Sequence, residues 1–349
     1  MVEKGKIVLL LLILLSATII GYVSTTRFEG LTTQKYEISV VDALNRSVVI
    51  NKPPSRIVST APSITELLFA LGLGNNVVGV TDYCDWPPQV LELREEGKIE
   101  SIGGYWNPNV EKIVNLNPDL VFVSAGIESH LQLVEQLESL NLTVVVLYPG
   151  KSISEIYKNI RLIAKITNRY ENGEELIRII TNKIESIFAK TRECGNKPSV
   201  LFVLWLNPVY TCGNETYLSE IIHLAGGRNL FEDLTGWPTV SVEEVVRRKP
   251  DVILIAASMM PQSPEKILED LKNDPSWNST PAVKNNKVFF LIGQGENIFL
   301  RPSIRIADAV ELLAAILHPE IFGGITVPTV IGDNYVNYLP SNTSITHAP

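Results

Sequence analysis

The sequence predicts an α/β protein with two similar lobes, each with a parallel sheet, joined by one long rigid α-helix. Three observations predict this fold class. Short apolar runs alternate with helical segments along most of the 349 residues, as in parallel sheets covered by helices. The segment 110–125 reappears at 242–257, with matching Val, Glu, Val, Pro, Asp and final Ala. Between the copies, residues 171–193 have helical periodicity and no proline.

The N-terminal α/β lobe is predicted over residues 54–170. It begins with a short strand near Arg56 and a helix over 64–71, for which Ser63 and Glu66 form an N-terminal capping box. The remaining elements alternate in the same way. They are strands at 77–80, 120–123 and 144–147, and helices at 110–116, 131–140 and 153–166.

The connecting helix is predicted over 171–194 and the C-terminal α/β lobe over 195–322. This second lobe repeats the alternation of the first. Its predicted strands are 199–205, 252–255 and 287–292, and its predicted helices are 218–224, 242–248, 264–273 and 304–317. Residues 323–349 are rich in Thr, Ser, Asn and Pro, and this composition predicts a disordered tail.

The N-terminal residues 1–23 are predicted to be a signal peptide or a membrane anchor. Two lysines precede an uncharged apolar run over 7–23, and both alternatives fit its length. The lysines favour a chain exported across the membrane. No cysteine follows the run, so a lipid anchor on cysteine is excluded, and the third alternative is a buried core helix. Residues 24–53 are predicted to be a stalk and a short hairpin.

Composition excludes several function classes. A net charge of -8 argues against a nucleic-acid partner. The chain has none of the common hydrolase, nucleotide-binding or zinc-protease motifs, and its four histidines are scattered, so we expect no catalytic site, resident metal or cofactor. Three cysteines allow at most one disulfide, and the pattern does not choose among them.

Aromatic side chains are concentrated in the loops at the predicted strand ends. A tryptophan precedes each copy of the repeated helix. Large rings in such loops suit a cleft that holds a bulky flat ligand, although they also fit a cover over the sheet ends. The candidate ligand-binding aromatics are Tyr83, Trp86, Tyr105, Trp106 and Trp237.

Four charged residues are further candidates. Arg301 and Arg305 precede the last helix, where they either meet an acidic ligand group in the cleft or are solvated charges. Glu111 and Glu243 occupy the same position in the two repeated helices. An acid in a first turn is stabilised by the helix dipole, but this does not require the same residue at the same offset in both lobes.

Five motifs resemble the substrate-binding proteins of ABC importers for vitamin B12 and ferric siderophores. The similarity spans residues 54–320, and the loop at 83–88 with the paired tryptophans is most similar to the B12-binding branch. The motifs are R-I-V-S…P-S-x-T-E at 56–66, G-V-T-D-Y-C-D-W-P at 79–87, N-V-E-K-I-V…P-D-L-V at 109–121, L-A-G-G-R-N-L-F at 224–231 and W-P-T-V-S-V-E at 237–243.

The resemblance implies two Rossmann-like lobes of the class III periplasmic-binding-protein fold, with a metal chelate held in the cleft between them. A corrinoid is the expected cargo, and a ferric siderophore or haem is the alternative. The resemblance also implies that Glu111 and Glu243 contact arginines of the importer permease. The permease and its ATPase are therefore the expected protein partners. We therefore expect an extracytoplasmic protein at the cell surface, tethered by its N-terminal segment or secreted if that segment is cleaved. A metal-centre enzyme or chelatase on a related fold is a weaker alternative.

Overall fold

The structure, a computed structural model, describes residues 36–345, so the predicted signal or anchor at 1–23 and most of the stalk lie outside the described residues. Residues 39–48 and 53–345 belong to one compact unit, whereas 36–38 and 49–52 fall outside it. Strands β1 (Ile38–Val41) and β2 (Ser47–Ile50) form a two-stranded sheet. Within the described part of the chain, no helix is long and apolar enough to span a membrane.

The N-lobe (residues 57–166) is built on a five-stranded sheet in which every neighbouring pair of strands is parallel, in the order β5-β4-β3-β6-β7. Its strands are β3 (Ile57–Ser59), β4 (Val77–Val80), β5 (Glu100–Ser101), β6 (Leu120–Ser124) and β7 (Val144–Leu147). Its helices are α1 (Pro62–Ala70), α2 (Gln89–Glu95), α3 (Val110–Asn115), α4 (Glu128–Ser139) and α5 (Ile153–Ile166).

The C-lobe (residues 199–345) has a seven-stranded sheet in the order β11-β9-β8-β12-β13-β14, and β10 also pairs with β8. Its strands are β8 (Ser199–Leu206), β9 (Val209–Thr211), β10 (Arg228–Asn229), β11 (Thr239–Val240), β12 (Val252–Ala256), β13 (Val288–Leu291) and β14 (Val330–Ile331). The sheet is mixed, because β9 and β11 are antiparallel to their neighbours.

The C-lobe helices are α7 (Tyr217–Leu224), α8 (Val242–Arg248), α9 (Pro264–Asn273), α10 (Pro275–Asn278), α11 (Pro281–Lys284), α12 (Gly293–Leu300) and α13 (Ile306–Leu317). Each lobe has its own apolar core, formed where the sheet residues meet the helices. Val121 and Ile113 belong to the first core, and Ile253 and Val245 to the second.

The lobes are connected through α6 (Tyr170–Thr191), a continuous helix of 22 residues that packs against α5 of the N-lobe and α13 of the C-lobe. Its buried apolar residues recur every three or four positions, as expected for a helix with one covered face. Gly173 lets α6 approach α5 closely, since an added Cβ would lie 2.6 Å from the Cβ of Ala164. The α/β fold class with parallel strands and one long connecting helix is confirmed.

The prediction of a disordered tail at 323–349 is wrong for the residues that the structure describes. Strand β14 extends the C-lobe sheet by pairing with β13, and Tyr335, Leu339 and Ile345 are buried. The segment does not need a core of its own because it covers α13, in which all twelve residues are buried. A helix that is apolar nearly all round requires such a cover, and this was the available sequence signal.

Polar contacts fasten this tail to the rest of the C-lobe and to α6. The buried carboxylates of Asp308 and Glu311 on α13 both form ion pairs with Lys183 of α6, at 2.8 and 2.7 Å. Ser341 donates its backbone N–H to Glu311 at 2.6 Å, and the hydroxyl of Tyr335 donates to Asp308 at 3.2 Å. Ser341 and Tyr335 of the tail therefore satisfy buried acids of α13.

Candidate ligand-binding cleft

Loops from both lobes meet at the carboxyl ends of their strands. Gly150, which follows β7, contacts Pro302 of the C-lobe so closely that an added Cβ would lie 2.5 Å from the proline Cβ. The loop after β4 also reaches the C-lobe, because Asp85 and the carbonyl of Tyr83 both accept hydrogen bonds from Arg301. Ligands of open α/β sheets bind at this edge, and we take the cleft there as the candidate site.

Trp106 is exposed to 57% but its backbone is held in place. Its carbonyl accepts a hydrogen bond from Ser129 Oγ at 2.8 Å, and the preceding carbonyl of Tyr105 accepts one from His130 Nε2 at 2.7 Å. The Tyr105 ring packs edge-on against both Trp106 and His130, with centroids 4.9 and 5.1 Å apart. Burial lowers the pKa of His130, which favours the neutral ring in this contact.

Trp237 lies in the corresponding position of the C-lobe, shortly before α8. Its ring is 39% exposed and packs edge-on against the buried Tyr217, with centroids 6.2 Å apart. Tyr83 of the N-lobe is 51% exposed. Trp106 and Trp237 thus present aromatic surface to solvent on packed supports, and the Tyr83 ring is also exposed.

Trp86 lies differently from these three residues. It is half-buried, and the guanidinium carbon of Arg305 lies 4.6 Å from the centroid of its ring. Its indole Nε1 is buried and has no hydrogen-bond partner among the described residues. One face of Trp86 therefore takes part in the contact between the lobes and is covered by Arg305.

The prediction that Arg305 faces a ligand or solvent is wrong, because the side chain is fully buried. Its Nε and Nη2 donate to the two carboxylate oxygens of Glu66 at 3.0 and 2.5 Å, and Nη1 donates to Gln294. Burial disfavours the charge of Arg305, but the Glu66 carboxylate more than offsets it and raises the arginine pKa. Arg305 thus binds the N-lobe and is not available to a ligand.

Arg301 is mostly covered, and only 12% of its side chain is exposed. It donates to Asp85 Oδ1 at 2.6 Å, to the Tyr83 carbonyl at 3.0 Å and to Glu66 Oε1 at 3.2 Å. Its charge is therefore already paired with acids of the N-lobe. An acidic ligand group would have to compete with them.

Glu66 is a second residue that sequence reasoning assigned wrongly. Helix α1 has Ala61 at its N-cap and no side-chain capping bond, so the predicted capping box with Ser63 does not form. Glu66 is instead buried and accepts hydrogen bonds from Arg301, Ser303 and Arg305 of the C-lobe. The available sequence signal was the apolar run that follows Glu66, because it predicts that the Glu66 side chain is buried. A buried carboxylate requires a cationic partner.

The carboxyl edge of the C-lobe sheet carries further candidates that the sequence did not reveal. Trp205 and Tyr210 are paired across β8 and β9 and are 40% and 37% exposed, and Met259 after β12 is 73% exposed. The buried Glu296 of α12 accepts the backbone N–H of Ser258 at 2.7 Å, and burial raises its pKa. Trp205 and Tyr210 were missed because both lie within strands, where aromatic residues are common in any case.

Glu111 is exposed in the first turn of α3. The side chain of Asn109 caps this helix by accepting the N–H of Lys112 at 2.9 Å, so Glu111 is not needed for capping. Glu243 is likewise exposed in the first turn of α8, where its own backbone N–H and Ser241 lower its pKa. The two acids therefore have equivalent local positions and are open to solvent.

Arg248 fastens α8 to the loop that follows β10. It pairs with Glu244 at 2.7 Å and with Asp233, donates to the Leu230 carbonyl at 3.0 Å, and lies 4.5 Å from the centroid of the Phe231 ring. The Arg248 pairing lowers the pKa of Asp233 to about 2. The orientation of α8, and with it that of Glu243, rests on this cluster.

A groove of about 940 Å³ lies elsewhere, bounded by α5, α6 and α7, and none of the predicted ligand-binding residues lines it. Its lining includes Tyr157, Ile184, Glu185, Glu220 and His223. Within the described residues no group of three His, Cys, Asp or Glu side chains could hold a metal ion. All three cysteines are free, and Cys84 and Cys212 are buried.

A family model described as periplasmic binding protein matches residues 57–294, more than half of the chain. The chain belongs to the periplasmic binding protein family. This periplasmic binding protein is 30% identical over 294 residues to YvrC of Bacillus subtilis, described as an uncharacterized ABC transporter substrate-binding lipoprotein. That similarity covers 83% of this chain and 88% of YvrC. It is also 30% identical to the vitamin B12-binding protein of Vibrio cholerae, over 76% of this chain and 90% of that protein.

Solved structures agree with this membership. The vitamin B12 binding protein BtuF of Vibrio cholerae is 28% identical, with a TM-score of 0.61 over 76% of this periplasmic binding protein and 98% of BtuF. The heme-binding protein RhuT of Roseiflexus sp. RS-1 in apo form is 25% identical, with a TM-score of 0.65 over 76% of this chain and 99% of RhuT. The resemblance that the sequence motifs indicated is confirmed.

Proposed function

We propose that the protein captures a bulky metal chelate, best matched by a corrinoid, between its lobes and delivers it to an ABC importer. The observation that carries the proposal is the pair Trp106 and Trp237, two exposed rings that precede the equivalent helices of the two lobes. Rings held on packed supports can contact a broad, flat ligand without losing much conformational entropy. The similarity to a vitamin B12-binding protein over 90% of its length supports a corrinoid.

Haem is the second candidate, and a ferric siderophore is the third. RhuT, which resembles this chain over 99% of its own length, is described as heme-binding, and a flat macrocycle suits the same pair of rings. The paired charges of Arg301 and Arg305 favour a corrinoid over haem, because both arginines already have carboxylate partners. Haem propionates would need a cation that is free.

The delivery step rests on Glu111 and Glu243, which we propose as contacts with two arginines of the importer permease. Both are exposed in first turns, where a carboxylate can form charge-assisted hydrogen bonds with a partner. The same proposal places the protein outside the cytoplasm, with its N-terminal segment as tether unless that segment is cleaved. Its function is binding and release of a ligand that remains chemically unchanged.

Calorimetric titration of the full chain with cyanocobalamin, haemin and one ferric siderophore tests the proposed cargo. We expect cyanocobalamin to bind with a Kd of about 1 μM or below, equivalent to about -8 kcal/mol. Tighter binding of haemin or the siderophore would transfer the assignment to that ligand. Binding of none of the three would overturn the metal-chelate proposal, and turnover of any of them would indicate an enzyme.

A further inference from the structure

Among the described residues, the Arg301 guanidinium donates hydrogen bonds to three groups, and all three belong to the N-lobe. They are the Asp85 carboxylate at 2.6 Å, the Tyr83 carbonyl at 3.0 Å and the Glu66 carboxylate at 3.2 Å. Arg301 itself lies in the C-lobe, directly after α12. The contact therefore crosses the cleft, next to the exposed ring of Tyr83.

The two acids differ in what else they bind. Glu66 is fully buried and is shared with Arg305 and Ser303, so its negative charge is already balanced by Arg305. Asp85 has no other ion pair in the described structure, and 38% of its side chain is exposed. Asp85 is thus the partner that neutralises Arg301, and it is the one that a ligand can reach.

We infer that Asp85 is a specificity-determining residue of the cleft: it occupies the position on Arg301 that an anionic ligand group would take. A small anion gains little by replacing one carboxylate with another, and it also meets the displaced charge of Asp85. A large chelate with broad apolar surface does not depend on that exchange. The cleft therefore excludes small carboxylates and phosphates that would otherwise bind a free arginine.

This inference rests on the proposed function for its biological meaning, but small anions test it without any cargo. Asp85→Asn keeps the size of the side chain and removes its charge. We expect this variant to bind citrate about tenfold or more tightly than the natural protein at low ionic strength, with a smaller gain at 0.15 M salt. The double variant Asp85→Asn/Arg301→Gln should lose the gain, because the gain requires the guanidinium.

Asp82→Asn is the matched control. It removes the same charge from the same loop, but Asp82 pairs with Arg94 and Ser101 and does not contact Arg301. An equal gain with Asp82→Asn would mean that only net charge matters and would overturn the inference. Citrate binding by Asp85→Asn that matches the natural protein, or a gain that survives loss of Arg301, would overturn it as well.

The specificity ratio gives a second measurement. Asp85→Asn should raise haemin affinity relative to cyanocobalamin affinity, since only haemin carries free carboxylates. A ratio that stays the same or falls would contradict the role of Asp85. If the natural protein binds neither compound, the cargo proposal fails, and the citrate comparison still decides the role of Asp85. Should Asp85→Asn fold poorly, Asp85→Ser supplies the same charge change for the citrate titration.

Discussion

Glu66 of the N-lobe and Arg305 of the C-lobe form an ion pair in which neither side chain is exposed. Two hydrogen bonds of 3.0 and 2.5 Å join the guanidinium to both carboxylate oxygens. The pair is separated by 239 positions in the chain, yet it lies where the two lobes contact each other. Together with the continuous helix α6, this pair opposes separation of the lobes.

Glu66→Gln should destabilise the protein by about 3–5 kcal/mol, because it leaves the buried charge of Arg305 without a counter-ion. Urea unfolding monitored by circular dichroism measures the change. Glu92→Gln on the exposed part of α2 is the control and should change stability by no more than about 0.5 kcal/mol. A similar small effect of Glu66→Gln would show that the lobes do not depend on this pair.

Trp106→Ala and Trp237→Ala should each weaken binding of the cargo by about 1–2 kcal/mol while the melting temperature changes little. Both rings are substantially exposed, so their loss leaves no large cavity. Tyr170→Ala removes an aromatic ring that is 62% exposed at the start of α6, and it should leave binding unchanged. A loss of stability that parallels the loss of affinity would identify the tryptophans as structural cover.

Glu111 and Glu243 should be needed for transport but not for binding. The double variant to Ala should leave cargo affinity intact while it abolishes uptake and stimulation of the importer ATPase in reconstituted vesicles. Arg at both positions should be at least as damaging, since like charges would then oppose each other. Normal uptake by the double Ala variant would return both residues to the role of helix-start acids.

Glu265 provides a close control for that experiment. It is the second residue of α9, follows a serine N-cap as Glu243 does, and has a pKa lowered by its own backbone N–H and by Ser263. Glu265→Ala should therefore reproduce any effect on the helix start. It should leave transport unchanged if the other two acids act at a permease interface.

The cluster around Arg248 should make α8 sensitive to acid. Arg248 lowers the pKa of Asp233 to about 2, from an ordinary value of 3.8. Arg247 and Arg248 lower the pKa of Glu244 to about 2, from an ordinary value of 4.5. An acid whose pKa is lowered by folding stabilises the folded state at pH values above its unfolded-state pKa. That stabilisation is lost as the pH falls from about 4.5 to 2. NMR titration of the carboxyl carbons should give pKa values near these numbers.

Arg248→Gln should return the pKa of Asp233 towards its ordinary value, whereas Glu244 should keep part of its shift through Arg247. Lys266→Gln is the control. It removes the partner that lowers the pKa of Asp270 and should leave Asp233 unaffected. An unchanged Asp233 titration in Arg248→Gln would contradict the assigned pairing.

The C-terminal segment should be required for stability. Tyr335→Ala removes a fully buried ring and a hydroxyl that binds Asp308, and it should cost about 3–5 kcal/mol of unfolding free energy. Tyr338→Ala in the same short turn is the control, because Tyr338 is only half-buried and bonds to the exposed Asn334. Equal and small effects in thermal unfolding would mean that the segment does not support α13.

Local patterns in the sequence determined much of this protein. Alternating apolar runs and helical periodicity gave β4, α5, β7, α8 and α9 their observed bounds, because such patterns follow from which side of an element is covered. The internal repeat indicated two lobes. It also showed a tryptophan before each repeated helix and a glutamate in the first turn of each. Apart from the repeat, which rests on the comparison of two distant segments, these signals depend on neighbours a few positions apart.

Tertiary structure alone decided which charges are buried and which remain available. Arg301 and Arg305 look alike in the sequence, but Arg305 is fully buried against Glu66, whereas Arg301 meets the partly exposed Asp85 across the cleft. The Ser-x-x-Glu pattern at Ser63 fits a capping box and a buried acid equally well. Ion-pair partners more than two hundred positions apart leave no periodic signal, since only the folded arrangement of both lobes brings them together.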